Sequence, residues 1–393
     1  MNTPLAWKNL THDKPRLVVI VAGIGFAVLL MFMQTGFENS LFDSQVQLVD
    51  ALKGDLFIIS RARFALAAEK RFPRDLLLRA QSVPGVEAAM PLYTEYARSV
   101  LKRVVGNHGS KGYPIRTIAV RPQDDVFKDP KITARLAELD APKTALIDSR
   151  SKGKAYRLDL HGGTALGAQP VELASQSLRI VDTFNLGVDF VHDGNLIMAT
   201  DQFERYFPAR NPGGSPLGVV DIGVVRLVDG ADPQSLRGTL QTLLGSSVQV
   251  LTKDDFRAKE MNYWRTNTPI GPVFLAGKLL GFIVGMVICY QIIHQDISDH
   301  LPEFATLKAI GYGDNYFLRL IVGEALLLSV FGFLPGMAVS YVLYEVLRER
   351  TGLLLQMSLT QGLLVYGLTL AMCLGSGLLA VRKLRSADPA SLF

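Results

Sequence analysis

An apolar stretch without a single charged residue, 17–37, does most to limit how this chain can fold. At 1.5 Å per residue, a helix of that length covers about 31 Å, close to the ~30 Å hydrocarbon thickness of a bilayer. Lys8, Lys14 and Arg16 precede the stretch as they would precede a cleaved signal peptide. However, the stretch is longer than the usual signal core, and no small-residue cleavage site follows it. We therefore expect a retained membrane-spanning helix.

Three comparable stretches occur after residue 270. Gly271–Ile293 is uncharged except for Lys278, and Ala325–Tyr344 and Thr351–Val381 carry no charge at all. A soluble domain seldom needs three such stretches close together, and the 49% content of hydrophobic residues is in keeping with membrane helices. The sequence therefore predicts four spans.

Basic residues near the span ends predict the orientation. They stand before the first span and after the last, whereas acidic residues follow the first span, so both termini are expected in the cytoplasm. The predicted fold class is a membrane α-helical protein with four transmembrane helices and a large extracytoplasmic α+β domain inserted between helices 1 and 2. The predicted segments are a cytoplasmic N-terminal segment (1–16), helix 1 (17–37), the periplasmic domain with a stalk helix (38–270), helix 2 (271–293), a cytoplasmic loop with a helix (294–319), helix 3 (320–346), a short periplasmic link (347–352), helix 4 (353–381) and a cytoplasmic tail (382–393).

The inserted domain shows mixed patterns. Glu38–Leu52 has near-helical apolar spacing and is expected to continue the first span as a stalk. Two short helices are predicted, one over Pro73–Ser82 and one over Asp201–Tyr206 with Thr200 as its N-cap. Strands are predicted over Asp55–Ser60, Tyr113–Arg121, Leu178–Val181, Leu196–Ala199 and Val219–Leu227.

Composition argues against several classes of protein. The 41 Lys and Arg exceed the 36 Asp and Glu by too little, and are too scattered, to suggest nucleic acid as a partner. The two cysteines, Cys289 and Cys373, both lie in apolar stretches, which excludes a disulfide scaffold and a Cys-ligated zinc domain. Membrane lipid is the expected surrounding of the apolar stretches.

No phosphate-binding loop of the form G-x-x-x-x-G-K-[ST] occurs, and neither do the G-x-S-x-G or H-E-x-x-H motifs of hydrolases. We therefore expect no catalytic residue and no cofactor site in this chain, so that any ATP-driven work would be powered by another chain. One metal-like cluster follows the second span, where Asp296 and His300 stand four residues apart. We favour a polar segment meeting water over a metal site.

Two charges lie in or beside the spans. Lys278 is expected to extend its long stem to the outer interface, and Glu324 is expected to reach a headgroup or a partner residue. A proton relay through Glu324 is disfavoured, because the other spans supply no further ionisable groups at depth.

Small residues at four-residue spacing predict close helix packing, because glycines let helix backbones approach each other in lipid. Such stripes are common and identify no partner helix. Pro335 is expected to kink the third span. The stripe residues are Gly277, Gly281 and Gly285 on the second span, and Gly332 and Gly336 on the third.

The cytoplasmic loop contains a short amphipathic helix pattern, with Ser298 as its expected cap and Gly311 as its end. It could lie on lipid headgroups, but the acidic Asp299 and Glu303 do not form the basic belt that anionic lipid favours. We therefore expect it to dock into a groove of a cytosolic partner. The predicted contact residues are Asp299, His300, Leu301, Glu303, Phe304, Leu307, Lys308, Ile310 and Gly311.

These residues resemble a known family. Glu303–Gly311, the span that begins near Glu324 and the tail A-V-R-K-L-R-S-A-D-P-A from Ala380 are similar to the FtsX/MacB-type permeases of ABC transporters, with the DevC group closest. The resemblance implies a homodimeric permease of the bacterial inner membrane. It also implies a separate ABC ATPase that binds ATP and Mg, a membrane-fusion adaptor and a TolC-like outer-membrane channel.

The leading hypothesis is therefore a permease subunit of a tripartite ABC exporter of the mechanotransmission type. ATP hydrolysis in the partner would move the periplasmic domain, and substrate would leave through the adaptor and the outer-membrane duct. The alternative is a transmembrane signalling or scaffold protein that regulates a periplasmic enzyme such as a cell-wall hydrolase.

Overall fold

A computed structural model describes residues 14–105, 108–109, 111–152, 156, 158–160, 167, 169–300, 306, 310–351, 353 and 355–386. The chain divides into two compact units. The membrane unit comprises the residues up to Ser40, Pro269–Arg350 and the residues from Leu355, whereas the α+β unit comprises Leu41–Thr268 and Thr351–Leu354. The first helix, α1 (Lys14–Ala51), contributes to both units and confirms the predicted stalk.

The α+β unit contains a 12-stranded sheet with helices on both faces. Its helices are α2 (Arg74–Gln81), α3 (Pro130–Leu136), α4 (Thr200–Tyr206), α5 (Pro233–Leu244) and α6 (Lys253–Thr266). Its strands are β1 (Leu56–Ser60), β2 (Phe72–Pro73), β3 (Val86–Glu95), β4 (Val100–Val105), β5 (His108–Gly109), β6 (Tyr113–Pro114), β7 (Arg116–Val120), β8 (Thr144–Asp148), β9 (Val171–Leu173), β10 (Gln176–Phe184), β11 (Asn195–Ala199), β12 (Val219–Val220), β13 (Ile222–Leu227) and β14 (Val248–Thr252).

The sheet is mixed, with the order β14-β1-β13-β3-β7-β11-β8-β10-β9-β4-β5 and β6 paired to β4. The β7–β11 and β8–β10 pairs are parallel, and the other pairs in the sheet are antiparallel. Strands β2 and β12 form a separate antiparallel pair.

Two hydrophobic cores cover the two faces of the sheet, as the alternation of side chains along β1 shows. Leu56 and Ile58 belong to the core that includes residues of α2, α4 and α5. Phe57 and Ile59 belong to the core that includes residues of α3, α6 and the end of α1. Burial on both faces explains why β1 reads as the continuous apolar run Leu-Phe-Ile-Ile.

Several sequence predictions for this unit need correction. The strand predicted over Tyr113–Arg121 is split into β6 and β7, and the one over Val219–Leu227 is interrupted at Asp221. Thr200 is the first residue of α4 rather than its cap, and the preceding Ala199 makes no side-chain capping bond. The main elements missed were β3, β4, β8, β14, α5 and α6.

The membrane unit contains four helices long and apolar enough to span a bilayer, within the described residues. They are the first part of α1 and the helices α7 (Ile270–Asp299), α8 (Asp314–Thr351) and α9 (Leu359–Ser386). Large apolar side chains such as Leu280, Leu334 and Leu363 are exposed on them, as lipid-facing residues would be. The predicted fold class is confirmed.

The helices are longer than the apolar stretches alone predicted. Helix α7 continues to Asp299, and Ser298 lies inside it, where its hydroxyl donates to the carbonyl of His294 at 2.9 Å. The prediction that Ser298 caps a new helix is therefore wrong. Helix α8 passes through Pro335 without interruption of the helix.

Candidate functional site

The first packing seam of the membrane unit joins α7 to α1. Glycines on α7 face α1, and a Cβ atom added at each would contact an α1 side chain: 2.5 Å from Gln34 for Gly277, 3.5 Å from Leu30 and Met31 for Gly281, and 2.7 Å from Ala27 for Gly285. Glycines with higher residue numbers on α7 contact residues with lower numbers on α1, so the two helices are antiparallel. The structure thus supplies the partner that the glycine spacing alone did not identify.

The second seam joins α8 to α1. A Cβ atom added at Gly332 would lie 2.6 Å from Ile24 Cβ, and one at Gly336 would lie 2.8 Å from both Gly25 O and Val28 Cβ. Here the residue numbers of the contacting positions increase together on both helices, so α8 and α1 are parallel. Ile24 and Val28 have no exposed surface within the structure. Helix α1 is therefore held between two glycine faces, where close van der Waals contact replaces the hydrophobic drive that lipid does not provide.

Polar contacts reinforce both seams towards the end of the α1 apolar stretch. Lys278 on α7 pairs with Glu38 on α1, with 2.5 Å between Nζ and Oε2, and both side chains are mostly buried. Glu38 lies one helical turn beyond Gln34 and so faces α7, and it stands directly after the apolar stretch 17–37; that Lys278 reaches the outer interface stays a prediction. On α8, the Tyr344 hydroxyl donates to the carbonyl oxygen of Phe32.

The side chain of Gln361 on α9 joins this contact, at 2.7 Å from the Tyr344 hydroxyl.

Glu324 lies on α8, and only 3% of its surface is exposed. Of the two predicted contacts of Glu324, a headgroup or a partner residue, this burial favours the partner residue. Because α8 begins at Asp314, Glu324 lies inside the packed helix rather than at its start.

Helices α7 and α9 pack in parallel and bring the two cysteines together. Cys289 Sγ lies 3.4 Å from Cys373 Sγ, and both residues are fully buried. The Ser376 hydroxyl donates to the Met286 carbonyl at 2.8 Å, which requires a close approach of the two helices. The cysteines are 84 residues apart, and no local sequence signal linked them. Over the residues that the structure describes, no group of three or more His, Cys, Asp and Glu side chains could hold a metal ion.

The predicted cytoplasmic contact residues are only partly described. Asp299 ends α7 and accepts a hydrogen bond from Gln295 at 2.8 Å. His300 follows in a turn, Ile310 is 71% exposed, and Gly311 has φ +107°, the left-handed backbone that glycine favours at a helix end. Leu301, Glu303, Phe304, Leu307 and Lys308 lie outside the described residues.

In the α+β unit, Asp221 organises a buried ionic cluster that the sequence did not reveal. Its carboxylate accepts from the Thr94 amide at 2.7 Å and from Arg63 Nη1 at 3.3 Å, and it also pairs with Arg210. Burial lowers the pKa of both Arg63 and Arg210, and the Asp221 charge opposes that shift. Asp221 stands between β12 and β13, so the interruption of this strand places a counter-charge among buried arginines.

A second buried cluster is centred on Asp189. Its carboxylate lies 2.9 Å from Arg116 Nη1 and 2.7 Å from His192 Nδ1. Burial alone would raise the pKa of Asp189, but Arg116 and His192 lower it to about 2. Burial, followed by the charge of Arg116, lowers the pKa of His192. The Arg116 guanidinium also donates to the side chain of Asn195 at 2.8 Å, which ties the cluster to β11.

Residues 278–389 match the family described as FtsX-like permease C-terminal. The chain is 21% identical to the uncharacterized ABC transporter permeases Rv0072 and MT0078 of two Mycobacterium tuberculosis strains, over 86% of this chain and 85% of theirs.

Two solved structures overlap about half of the chain. The periplasmic region of MacB from Actinobacillus actinomycetemcomitans matches with 13% identity and a TM-score of 0.33, over 53% of this chain and 92% of that one. The extracellular domain of the Gram-positive transporter YknZ matches with 12% identity and a TM-score of 0.33, over 51% of this chain and 99% of that one.

The described residues include four helices that could each cross a membrane, and the family match lies in the part of the chain that holds the last three of them. Residues 278–389 are thus similar to an FtsX-like permease C-terminal domain, and most of the chain is similar to two uncharacterized ABC transporter permeases.

Proposed function

We propose that this chain is the permease subunit of a tripartite ABC exporter of the mechanotransmission type. A separate ATPase subunit binds ATP and Mg and hydrolyses the nucleotide, and this chain contributes no nucleotide site of its own. Both termini lie in the cytoplasm, and two copies form the working dimer. Motion of the α+β domain drives substrate through a membrane-fusion adaptor and a TolC-like outer-membrane channel.

The observation that carries this proposal is the continuity of α1. The helix runs without a break from Lys14 to Ala51 and contributes residues to both units. In the membrane unit it lies between the two glycine seams. A helix fixed in this way is suited to pass a rotation or a shift along its axis.

The far end of α1 is fixed equally firmly within the α+β unit. Leu48 and Val49 are buried in the core on one face of the sheet. The Lys253 ammonium donates to the carbonyl oxygen of Leu52 at 2.6 Å and to that of Asp50 at 3.2 Å, and Arg257 pairs with the Asp50 carboxylate. These bonds satisfy carbonyls that a helix C-terminus leaves without intrahelical partners.

The loop between α7 and α8 supports an ATPase-docking role. Ile310 is 71% exposed and Tyr312 is 44% exposed, so the described part of this loop presents apolar surface. In the proposed complex, the residues from Asp299 to Gly311 seat on the ATPase, with Leu307 as the apolar anchor.

Co-purification tests the proposal. Tagged full-length chain, extracted from native membranes, is expected to bring down an ABC ATPase, and Leu307→Glu is expected to abolish that capture. Leu78→Glu is the matched control, because Leu78 is an apolar residue with 61% exposure on α2 of the α+β unit. Absence of any ATPase from the wild-type sample would refute the proposal. Capture of an ATPase with a cell-wall hydrolase, and without an adaptor, would favour the regulatory alternative.

A further inference from the structure

At one edge of the large sheet, where its strands begin or end, the C-terminal ends of β1, β3, β8 and β10 lie beside the N-terminal ends of β7, β11, β13 and β14. The strand registers establish this, because Ser60 pairs with Val248, Glu95 with Thr117, Asn195 with Arg116 and Asp148 with Phe184. We call it the exit edge. The opposite edge carries the end of β13 and, directly after it, Val228.

The chain enters and leaves the α+β unit beside the exit edge. Helix α6 starts at the opposite edge, after the end of β14, and returns so that Tyr263 contacts Phe64 in the loop after β1, with ring centroids 5.2 Å apart. Near the same helix end, the Arg265 guanidinium lies 5.3 Å from the Phe42 ring. Phe42 and Arg265 lie close to Leu41 and Thr268, the two ends of the main segment of this unit.

Two phenylalanines are exposed at the exit edge. Phe64, in the loop between β1 and β2, is 52% exposed, and Phe190, in the loop between β10 and β11, is 58% exposed. Exposing an aromatic ring to water forgoes the large stabilisation that its burial gives. Two such rings on one edge therefore indicate a surface that something apolar covers.

The Phe64 loop is held in place by buried bonds. Arg63 is almost fully buried and donates to the Leu66 carbonyl at 2.7 Å. The Leu66 amide in turn donates to the buried Glu260 carboxylate at 2.8 Å. Arg63 also belongs to the Asp221 cluster. The loop is thus anchored on both sides of Phe64.

The Phe190 loop is held in the same manner by the Asp189 cluster. The Asp189 carboxylate accepts from the Val191 amide at 2.9 Å and from the His192 amide at 2.7 Å. The Tyr96 hydroxyl donates to the Val191 carbonyl at 2.8 Å. The two buried clusters thereby present both rings in fixed positions.

Charge at the exit edge favours anionic lipid headgroups. Most of the exposed charged residues described in its loops and beside it are basic, namely Arg61, Lys70, Arg98, Arg150, Lys152 and Arg265; the exposed acidic residues are Asp159, in the same loop as Arg150, and Asp43, next to Phe42. Among the acidic side chains in the same loops, Glu69 is half-buried beside Arg71, and Asp193 pairs with Lys152. The net charge of these side chains is positive, and Lys and Arg side chains near an anionic bilayer are attracted to its headgroups.

Chain length brings this edge within reach of the bilayer. Three residues, 267–269, separate the end of α6 from the start of α7, which spans the membrane. Even when fully extended, that connection covers no more than about 14 Å. We propose that the exit edge is a membrane-contact surface, where Phe64 and Phe190 enter the headgroup–acyl boundary of the outer leaflet and the surrounding basic residues bind anionic headgroups. This surface is independent of what the protein transports.

Depth measurement by spin labelling tests the proposal in the full-length chain. Phe64→Cys, Phe190→Cys and Val228→Cys variants are labelled with a nitroxide and placed in nanodiscs of phosphatidylcholine with phosphatidylglycerol. Val228 is the control, because it is 45% exposed and lies at the opposite edge. Unsubstituted protein reports any labelling of Cys289 and Cys373.

Labels at 64 and 190 are expected to be several-fold more accessible to oxygen, relative to a water-soluble nickel chelate, than the label at 228. Replacing phosphatidylglycerol with phosphatidylcholine is expected to reduce that difference. Equal accessibility ratios at all three positions would overturn the proposal. Labels at 64 and 190 that are shielded from both reagents would also overturn it, because a protein would then be covering the surface.

Discussion

Replacing Gly336 with Ala tests the packing of α1 directly. The added Cβ would lie 2.8 Å from the backbone oxygen of Gly25 and 2.8 Å from Val28 Cβ. Neither atom can rotate away from the added Cβ, because the Gly25 oxygen is a backbone atom and Val28 Cβ is bonded directly to the Cα atom of Val28. Since carbon contacts are ordinarily about 3.5–4.0 Å, the helices would have to separate by roughly 0.7–1.2 Å at this point.

The expected cost follows from that separation. A gap of about 1 Å forfeits up to roughly half of the van der Waals attraction between the atoms on either side. Overpacking of this kind costs about 1–3 kcal/mol. Ala is favoured over Gly within a helix by up to about 1 kcal/mol, which offsets part of the loss. We therefore expect Gly336→Ala to lower the free energy of unfolding by about 1–2 kcal/mol.

Gly367→Ala is the matched control on α9, because nothing lies within 4 Å of the Cβ it would add. It is expected to leave the stability unchanged or to raise it by up to about 1 kcal/mol. Reversible unfolding of both full-length variants in mixed detergent and dodecyl sulfate micelles, followed by far-ultraviolet circular dichroism, measures the difference. If Gly336→Ala unfolds at the same dodecyl sulfate fraction as Gly367→Ala, the close contact between α1 and α8 is refuted.

Asp221→Asn is expected to destabilise the α+β unit by about 3–5 kcal/mol in thermal unfolding, because buried guanidinium groups lose their counter-charge. Asp193→Asn, in an exposed ion pair, is expected to cost about 0–1 kcal/mol. His192 has a lowered pKa, so the unfolded chain binds its proton first; the melting temperature is expected to fall as the pH decreases below 6.5, and His192→Asn is expected to flatten this dependence. A membrane-permeant oxidant is expected to join Cys289 and Cys373, protecting both from maleimide after denaturation until reductant is added.

Three outcomes would contradict these expectations. Equal melting temperatures for the two aspartate variants would show that the Asp221 charge is not needed by its arginine partners. A pH profile that His192→Asn leaves unchanged would assign the acid sensitivity to other groups. Full maleimide labelling of oxidised protein would show that the two thiols do not meet in the membrane.

The spans could be predicted because hydropathy is a local property of the chain. The limits of the helices could not be predicted as well, because the polar ends of α7 and α8 carry no apolar signal. Glycine spacing along Gly277, Gly281 and Gly285 correctly indicated a packing face, but the partner helix depends on tertiary arrangement. The Lys278–Glu38 pair and the contact between Cys289 and Cys373 also depend on the tertiary arrangement, so the sequence did not predict them.

In the α+β unit, periodicity found β1, β10 and β11 but missed β3, whose run Val-Glu-Ala-Ala-Met-Pro contains poor strand formers. Tertiary pairing with β13 and β7 overrides that weak local preference. The buried clusters around Asp221 and Asp189 were also invisible in the sequence. Their members come from distant segments, and a charged residue in a sequence normally indicates a solvated surface.

The unbroken course of α1 also restricts how this protein can change length. Leu41, Phe42, Val46, Leu48 and Val49 are all buried within the α+β unit, so adding one residue between Val46 and Leu48 would turn the last two by 100° about the helix axis relative to the first three, and they could not all stay buried. Additions of seven residues, close to two whole turns, would nearly restore the phase. Related chains should therefore differ in this segment mostly by such near-integral turns, even where their amino acids differ freely.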